Sequence, residues 1–177
     1  EHFPNAKASL ANSSGLFARE EFYFDMVRTG AALYGLNPLA EQDNPTEPAV
    51  SLQVPIIRLR RVYKGAHIGY GATYCFDKDS DLATIGAGYA DGLFWHLSNQ
   101  GRLYWKGYPC PIRGRVSMDL TTIDVTEVPA DERPRPGDFI EVIGPHQSLD
   151  DLAAAAGTIG YEALTSLGNR YERRYLN

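Results

Sequence analysis

Apolar and polar positions change rhythm part-way along the chain, helical or clustered before residue 37 and mostly alternating after residue 50. Residues 8–14, ASLANSS, are small and polar and predict a short strand ending in a turn. Such an end exposes N–H groups beside the Ser13 and Ser14 hydroxyls, a chemistry suited to phosphate, although by composition alone an ordinary loop or helix cap is the better account. Residues 15–25 put apolar side chains on one helical face and predict a short helix. VRTGAALYG follows as an apolar run of strand length with one charge, Arg28. A charge in such a run is costly unless it is paired or lies at the strand mouth, so Arg28 calls for a specific partner. Helix then strand is the tail of an α/β unit, and one unit cannot close a sheet. Residues 37–49 hold three prolines and read as a linker.

Beyond it, residues 51–63 alternate, with Arg58, Arg60 and Arg61 marking a solvated face. Short strands follow at 82–89, 103–105, 110–116, 121–125 and 139–143, separated by Gly, Pro, Asp and Asn. The expected fold is mainly β, an antiparallel barrel or sandwich-like domain preceded by the last α/β elements of an incomplete barrel. Ser148 with Asp151 forms a capping box, Asp replacing the usual Glu, and opens a helix that Gly157 closes. A second helix at 161–167 starts near Thr158 and Tyr161, where either an anion or a plain cap fits. The tail RYERRYLN alternates Arg and Tyr and predicts a final edge strand.

Three glycine-punctuated strand ends interrupt the β pattern: IGYGATY, IGAGYADGL and GRVSMDLTTIDV. They carry Tyr70, Tyr89 and the pair Met118–Asp119. Glycine permits sharp turns and close backbone approach, so Tyr70 between Gly69 and Gly71 is placed rather than packed. Either tyrosine alone is explained by strand propensity. Their repetition points to one wall of a site.

Composition narrows the function without naming it. An apolar share of 44% and a charged share of 22% over 177 residues suit a globular protein with a real core. Seventeen Lys and Arg against 22 Asp and Glu give −5, which leaves no electrostatic footprint for nucleic acid. No apolar run has membrane-spanning length, and no secretory pattern opens the chain. Cys75 and Cys110 lack metal spacing and read as free thiols in a reducing cytosol. His2, His67, His96 and His146 are scattered, so no metal site is assigned. Nucleophile-elbow, P-loop and dinucleotide fingerprints are missing from the sequence. The opening EHFPNAK has no methionine and suggests a fragment or processed product.

Taken together, LANSSG, MVRTGAALYG, IGYGATY, GAGYADG, GRVSMDLTTIDVT, GTIGYE and RYERRYL resemble alanine racemase, a pyridoxal-phosphate enzyme family, in the family's own order. The resemblance covers the family's C-terminal half. It implies the end of a TIM-type cofactor barrel at 1–36, a linker at 37–49 and a β domain at 50–177 that includes the helical segment 148–167. Thr29 stands where many relatives have proline, and Gly160 where a larger residue is usual.

The resemblance also implies roles. Two bases flank the substrate in this family, the Schiff-base lysine and a tyrosine that maps to Tyr70. A phenol ionises near about 10, so it needs a tuning neighbour, by resemblance a barrel histidine outside this chain. Arg28 maps to the arginine facing the pyridine nitrogen. Because arginine keeps its proton, that nitrogen stays an acceptor and the electron sink stays shallow, which disfavours transamination. Ser13, Gly30, Ala31 and Tyr161 map to phosphate contacts, Met118 to the backbone meeting the substrate carboxylate, and Tyr89 and Asp119 to the entrance. The implied assembly is a cytoplasmic homodimer that shares its sites between subunits and supplies D-alanine for bacterial peptidoglycan. Lys7, Lys64, Lys78 and Lys106 are the only lysines, and none lies in the Schiff-base motif, so the isolated chain is expected to be inactive. Two other readings are a related racemase or decarboxylase of the same plan, and a non-catalytic β dimerisation module.

Overall fold

The computed structural model describes Phe3, residues 5–39 and residues 42–176, so His2 and two linker positions, Ala40 and Glu41, lie outside the described residues. The chain forms two compact units, residues 1–50 and 51–177.

In the first unit, α1 (Ser13–Ala18) opens on Asn12, whose Oδ1 accepts the Gly15 N–H at 2.9 Å. Satisfying an otherwise orphaned first-turn donor in this way is what an N-cap does. The helix ends at Arg19, which is extended, and a 3-10 turn follows at Glu20–Phe22. The single helix expected over 15–25 is therefore two pieces. The Tyr23 hydroxyl donates to the Leu16 carbonyl at 2.8 Å, taking up an acceptor that a longer helix would use.

Neither strand expected in this unit forms. Residues 8–12 join no ladder, and Ala31–Tyr34 is a 3-10 turn closed by Gly35 at φ +81°. The runs meet through isolated bonds, Asp25 N–H to the Ala8 carbonyl at 3.1 Å and Arg28 N–H to the Ala11 carbonyl at 2.8 Å. A strand needs a continuous ladder to satisfy its backbone, and where only single bonds are made, local 3-10 bonding takes over.

The second unit contains β1 (Leu52–Val62), β2 (His67–Ile68), β3 (Tyr74–Cys75), β4 (Ser80–Ile85), β5 (Arg102–Trp105), β6 (Tyr108–Pro111), β7 (Thr121–Asp124) and β8 (Phe139–Ile143). It ends with α2 (Leu149–Ala155) and α3 (Gly160–Thr165). Six strands form one sheet in the order β6-β5-β8-β1-β4-β7, and every pairing is antiparallel. An antiparallel bridge between Ile112 and Ile123 brings the two ends of that order together, giving a nearly closed barrel. β1 pairs with β8 through its first half and with β4 through its second. Between Ile56 and Arg58 its register shifts, and such a bulge re-aims the side chains beyond it. Val54 and Ile56 join the core, whereas Arg58, Arg60 and Arg61 are exposed. Ala83, Ile85, Leu103, Ile112, Ile123 and Ile140 complete that interior.

The β2–β3 hairpin has a small core of its own, Ile68, Phe76 and Leu82. The capping box at α2 is formed as expected, with Asp151 N–H donating to Ser148 Oγ at 3.1 Å and Gly157 at φ +70° after the helix. Among the described residues of the tail, 170–176, the expected edge strand does not form. The closing bridge removes the free edge on which it could have paired. Among the described residues no helix is long and apolar enough to cross a membrane.

Candidate functional site

In the first unit the start of α1 brings Ser13 against the turn at Gly30. The Ser13 side chain is buried, and its Oγ accepts the N–H groups of Gly30 at 3.0 Å and Ala32 at 3.3 Å. Ser13, Gly30 and Ala31 thus lie together, with open space beside Gly30 where a Cβ would project. Hydroxyl and amide donors around such a turn are the usual holders of a phosphate. Arg28 meets the same segment: Nη1 donates to Ser9 Oγ at 2.8 Å and to the Ser9 carbonyl at 3.2 Å. Among the described residues no carboxylate forms an ion pair with Arg28, so its guanidinium is oriented but not neutralised. Arg28 Nη2 also reaches the Leu10 carbonyl at 3.5 Å, so the specific partner expected for it is a serine with two backbone carbonyls.

In the second unit Tyr70 stands at the tip of the β2–β3 hairpin, with Gly69 at φ +79°, Gly71 at φ +75° and the phenol exposed. A Cβ on Gly69 would lie 2.8 Å from the Arg115 nitrogen and 3.0 Å from Gly114 Cα. The root of the hairpin therefore crosses the 114–115 backbone where only glycine fits. Asn99 ties the same region together, accepting the Gly114 N–H at 2.6 Å and donating to Thr73 Oγ1 at 3.3 Å. Ser98 Oγ takes the Val116 N–H at 3.0 Å. Arg115 then lies over the Trp95 ring at 5.6 Å, and Arg113 over the Tyr74 ring at 4.6 Å.

The 114–119 segment leads from the hairpin to the other two arms. Tyr89 lies on a 3-10 turn, Tyr89–Asp91, where the N–H groups of Tyr89 and Ala90 donate to the Ser117 and Met118 carbonyls at 2.9 and 3.0 Å. Gly88 makes this approach possible, since a Cβ there would fall 2.2 Å from the Ser117 oxygen. The Thr121 hydroxyl holds the same corner through the Ala87 carbonyl at 2.8 Å. Tyr89, Met118 and Asp119 are thereby joined, with their side chains exposed. Tyr161 lies exposed on the first turn of α3, and the hydrogen bonds that couple Tyr89 to Met118 do not pass through it.

Two residues here escaped the sequence reading. Asp91 is buried, and one of its oxygens accepts the Gly88 N–H at 3.0 Å. Its other oxygen meets Arg170 Nε at 2.8 Å, while Arg170 Nη1 reaches Asp119 at 2.7 Å. Those carboxylates hold the Arg170 guanidinium above its ordinary range, the Asp119 hydrogen bond first. Burial, with Asp91 adding to it and Arg170 opposing, pushes the Tyr171 phenol up to about 12. The tail's alternating Arg and Tyr was the visible signal, but it marks ion pairing rather than a strand.

The sequence profile described as "Alanine racemase, C-terminal domain" matches residues 49–175, and "Alanine racemase, N-terminal domain" matches residues 1–38. The chain is 51% identical over 174 residues to the alanine racemase of Rickettsia canadensis, covering 98% of this chain and 47% of the relative. It is similar to the crystal structure of alanine racemase from Bartonella henselae with covalently bound pyridoxal phosphate, with a TM-score of 0.92 and 42% identity over 98% of this chain and 48% of that one. It also matches alanine racemase from Bacillus anthracis with bound L-Ala-P, with a TM-score of 0.81 and 32% identity over 92% of this chain and 42% of that one. The chain therefore spans about half the length of the relatives it matches. Profiles over both segments and folds this close leave one conclusion: the chain belongs to the alanine racemase family.

Proposed function

We propose that a protein carrying this chain with the remaining part of the family's length interconverts L- and D-alanine, with Tyr70 as one of two bases. The observation that carries this reading is the placement of Tyr70. It is held out on a hairpin whose glycine crossing leads, through residues 114–119, to Met118 and Asp119. The match to alanine racemases over nearly the whole chain supports it. Residues 1–36 contribute the end of a cofactor barrel, 37–49 the linker and 50–177 the β domain. Pyridoxal phosphate, when bound, draws electrons from the substrate α-carbon and makes its proton acidic. Ser13, Gly30, Ala31 and Tyr161 would hold its phosphate; the Ser13 hydroxyl, placed against the Gly30 turn, and the open space beside Gly30 fit that role. Arg28, with no ion-pair partner among the described residues, would donate to the ring nitrogen without giving up its proton. The Tyr70 phenolic oxygen takes or returns the α-proton on one face. The Met118 backbone meets the substrate carboxylate, and Tyr89 and Asp119 line the entrance. The assembly is a homodimer with shared sites, and its product serves peptidoglycan synthesis in a bacterial cytoplasm.

The test uses the full-length protein. After incubation with pyridoxal phosphate and borohydride, one adduct per chain is expected by intact mass, lying outside residues 1–177. Racemisation of alanine should fall about 10²- to 10⁴-fold on Tyr70→Phe, the range for a lost general base. Undiminished turnover by that variant, or carbon dioxide release from an amino acid, overturns the reading. The 177 residues alone are expected to show no racemisation.

A further inference from the structure

We infer that Arg170 is a positioning residue for the substrate-facing arms: by bridging Asp91 and Asp119 it locks the Tyr89 turn and the Met118–Asp119 corner into one body. This rests on the proposal that Tyr89, Met118 and Asp119 face the substrate. Arg170 places two different nitrogens on two carboxylates, Nε on Asp91 at 2.8 Å and Nη1 on Asp119 at 2.7 Å. A planar fork can do this and a single ammonium cannot. The two ends of the bridge are unequal. The Asp91 side chain is 6% exposed and that of Asp119 54%, so Asp91 is the fixed anchor and Asp119 the group being held.

Asp91 transmits the constraint inward. Its second oxygen accepts the Gly88 N–H, which starts the turn, and the next two N–H groups cross to the Ser117 and Met118 carbonyls. Gly92 and Gly168 allow the C-terminal segment to reach this point. A Cβ on Gly92 would lie 2.5 Å from the Ser166 oxygen, and the Gly168 N–H donates to the Asp91 carbonyl at 3.3 Å. The segment after α3 is thereby fastened to the turn by backbone as well as by charge. Without Arg170, Asp91 would be a buried carboxylate facing one amide, and the turn would shift to hydrate it. Asp119 would lose the group that fixes its direction.

Hydrogen exchange and kinetics on the full-length protein test this. Arg170→Met is expected to speed exchange of the Tyr89 and Ala90 amides at least about tenfold, with the amides of β4 and β8 unchanged. For alanine, KM should rise about tenfold while kcat stays within about threefold, the signature of lost substrate binding rather than lost chemistry. Arg170→Lys should restore no more than part of either effect. Should Arg170→Met fail to fold, Asp119→Asn cuts only the exposed arm and is expected to speed exchange of Ala90. Unchanged protection of Tyr89 and Ala90 in the variant that folds, or equal loss in KM and kcat tracking stability, overturns the proposal. Because exchange is read without substrate, loosened amides in a protein that leaves alanine untouched would keep the positioning role and remove the alanine reading.

Discussion

Cys110 lies on β6 with its side chain in the core, and burial pushes its thiol from the ordinary value of about 9 up to about 12. Its consequence for stability has a definite sign. Below about pH 9 the thiol is protonated in both states, and the contribution is fully present. As pH rises from about 9 to about 12 the unfolded chain releases the proton while the folded one keeps it, so the unfolded state binds fewer protons and stability falls. The slope approaches about 1.4 kcal/mol per pH unit for this group. Tyr171, also raised, adds a weaker and partly screened fall of the same sign. Urea unfolding at about pH 8 and about pH 10.5 should therefore show a loss that Cys110→Ala reduces. An identical loss in that variant would assign the alkaline sensitivity elsewhere. Cys75, exposed on β3, is the thiol open to reagents. At this scale the sequence named Tyr70, Tyr89, Met118 and Asp119 from their glycine settings. It missed Asp91 and Arg170, because an ion pair between residues so far apart in the chain has no local signature.

At the scale of elements, the β2–β3 hairpin depends on two glycines in contact. Gly69 and Gly114 approach until an added Cβ on Gly114 would lie 3.2 Å from Gly69 Cα, and both have positive φ. Gly69→Ala must meet both the backbone of Arg115 and an unfavourable left-handed conformation. It is expected to cost about 1–3 kcal/mol in urea unfolding and to unprotect the hairpin amides first. A change within about 0.5 kcal/mol would mean that the crossing is not tight in solution. Elements defined by their own sequence were legible, as the α2 cap shows: Ser148, Asp151 and Gly157 complete it with no distant partner. The apolar run around Ala31 was not, because strand and 3-10 turn differ there only in whether a ladder exists, and the single bond from Arg28 to Ala11 does not make one.

Over the whole molecule, residues 51–177 hold a barrel with its own interior and nearly joined ends. We expect this segment, produced alone, to unfold in one cooperative urea transition. A gradual loss of signal would show that the barrel needs the rest of the protein. The alternation in β1 and the spacing of the later strands by themselves determined an antiparallel β fold, because period-two burial follows directly from the pleat. The family motifs likewise determined which side chains to watch. Closure of the sheet was decided only by tertiary structure, since Ile112 and Ile123 meet across a ring that no local pattern encodes. The fate of the tail was decided there too. With the barrel's edge taken, its arginines had no ladder to join, and Arg170 instead reached Asp91, a carboxylate held out of water that is costly to leave without a charged partner.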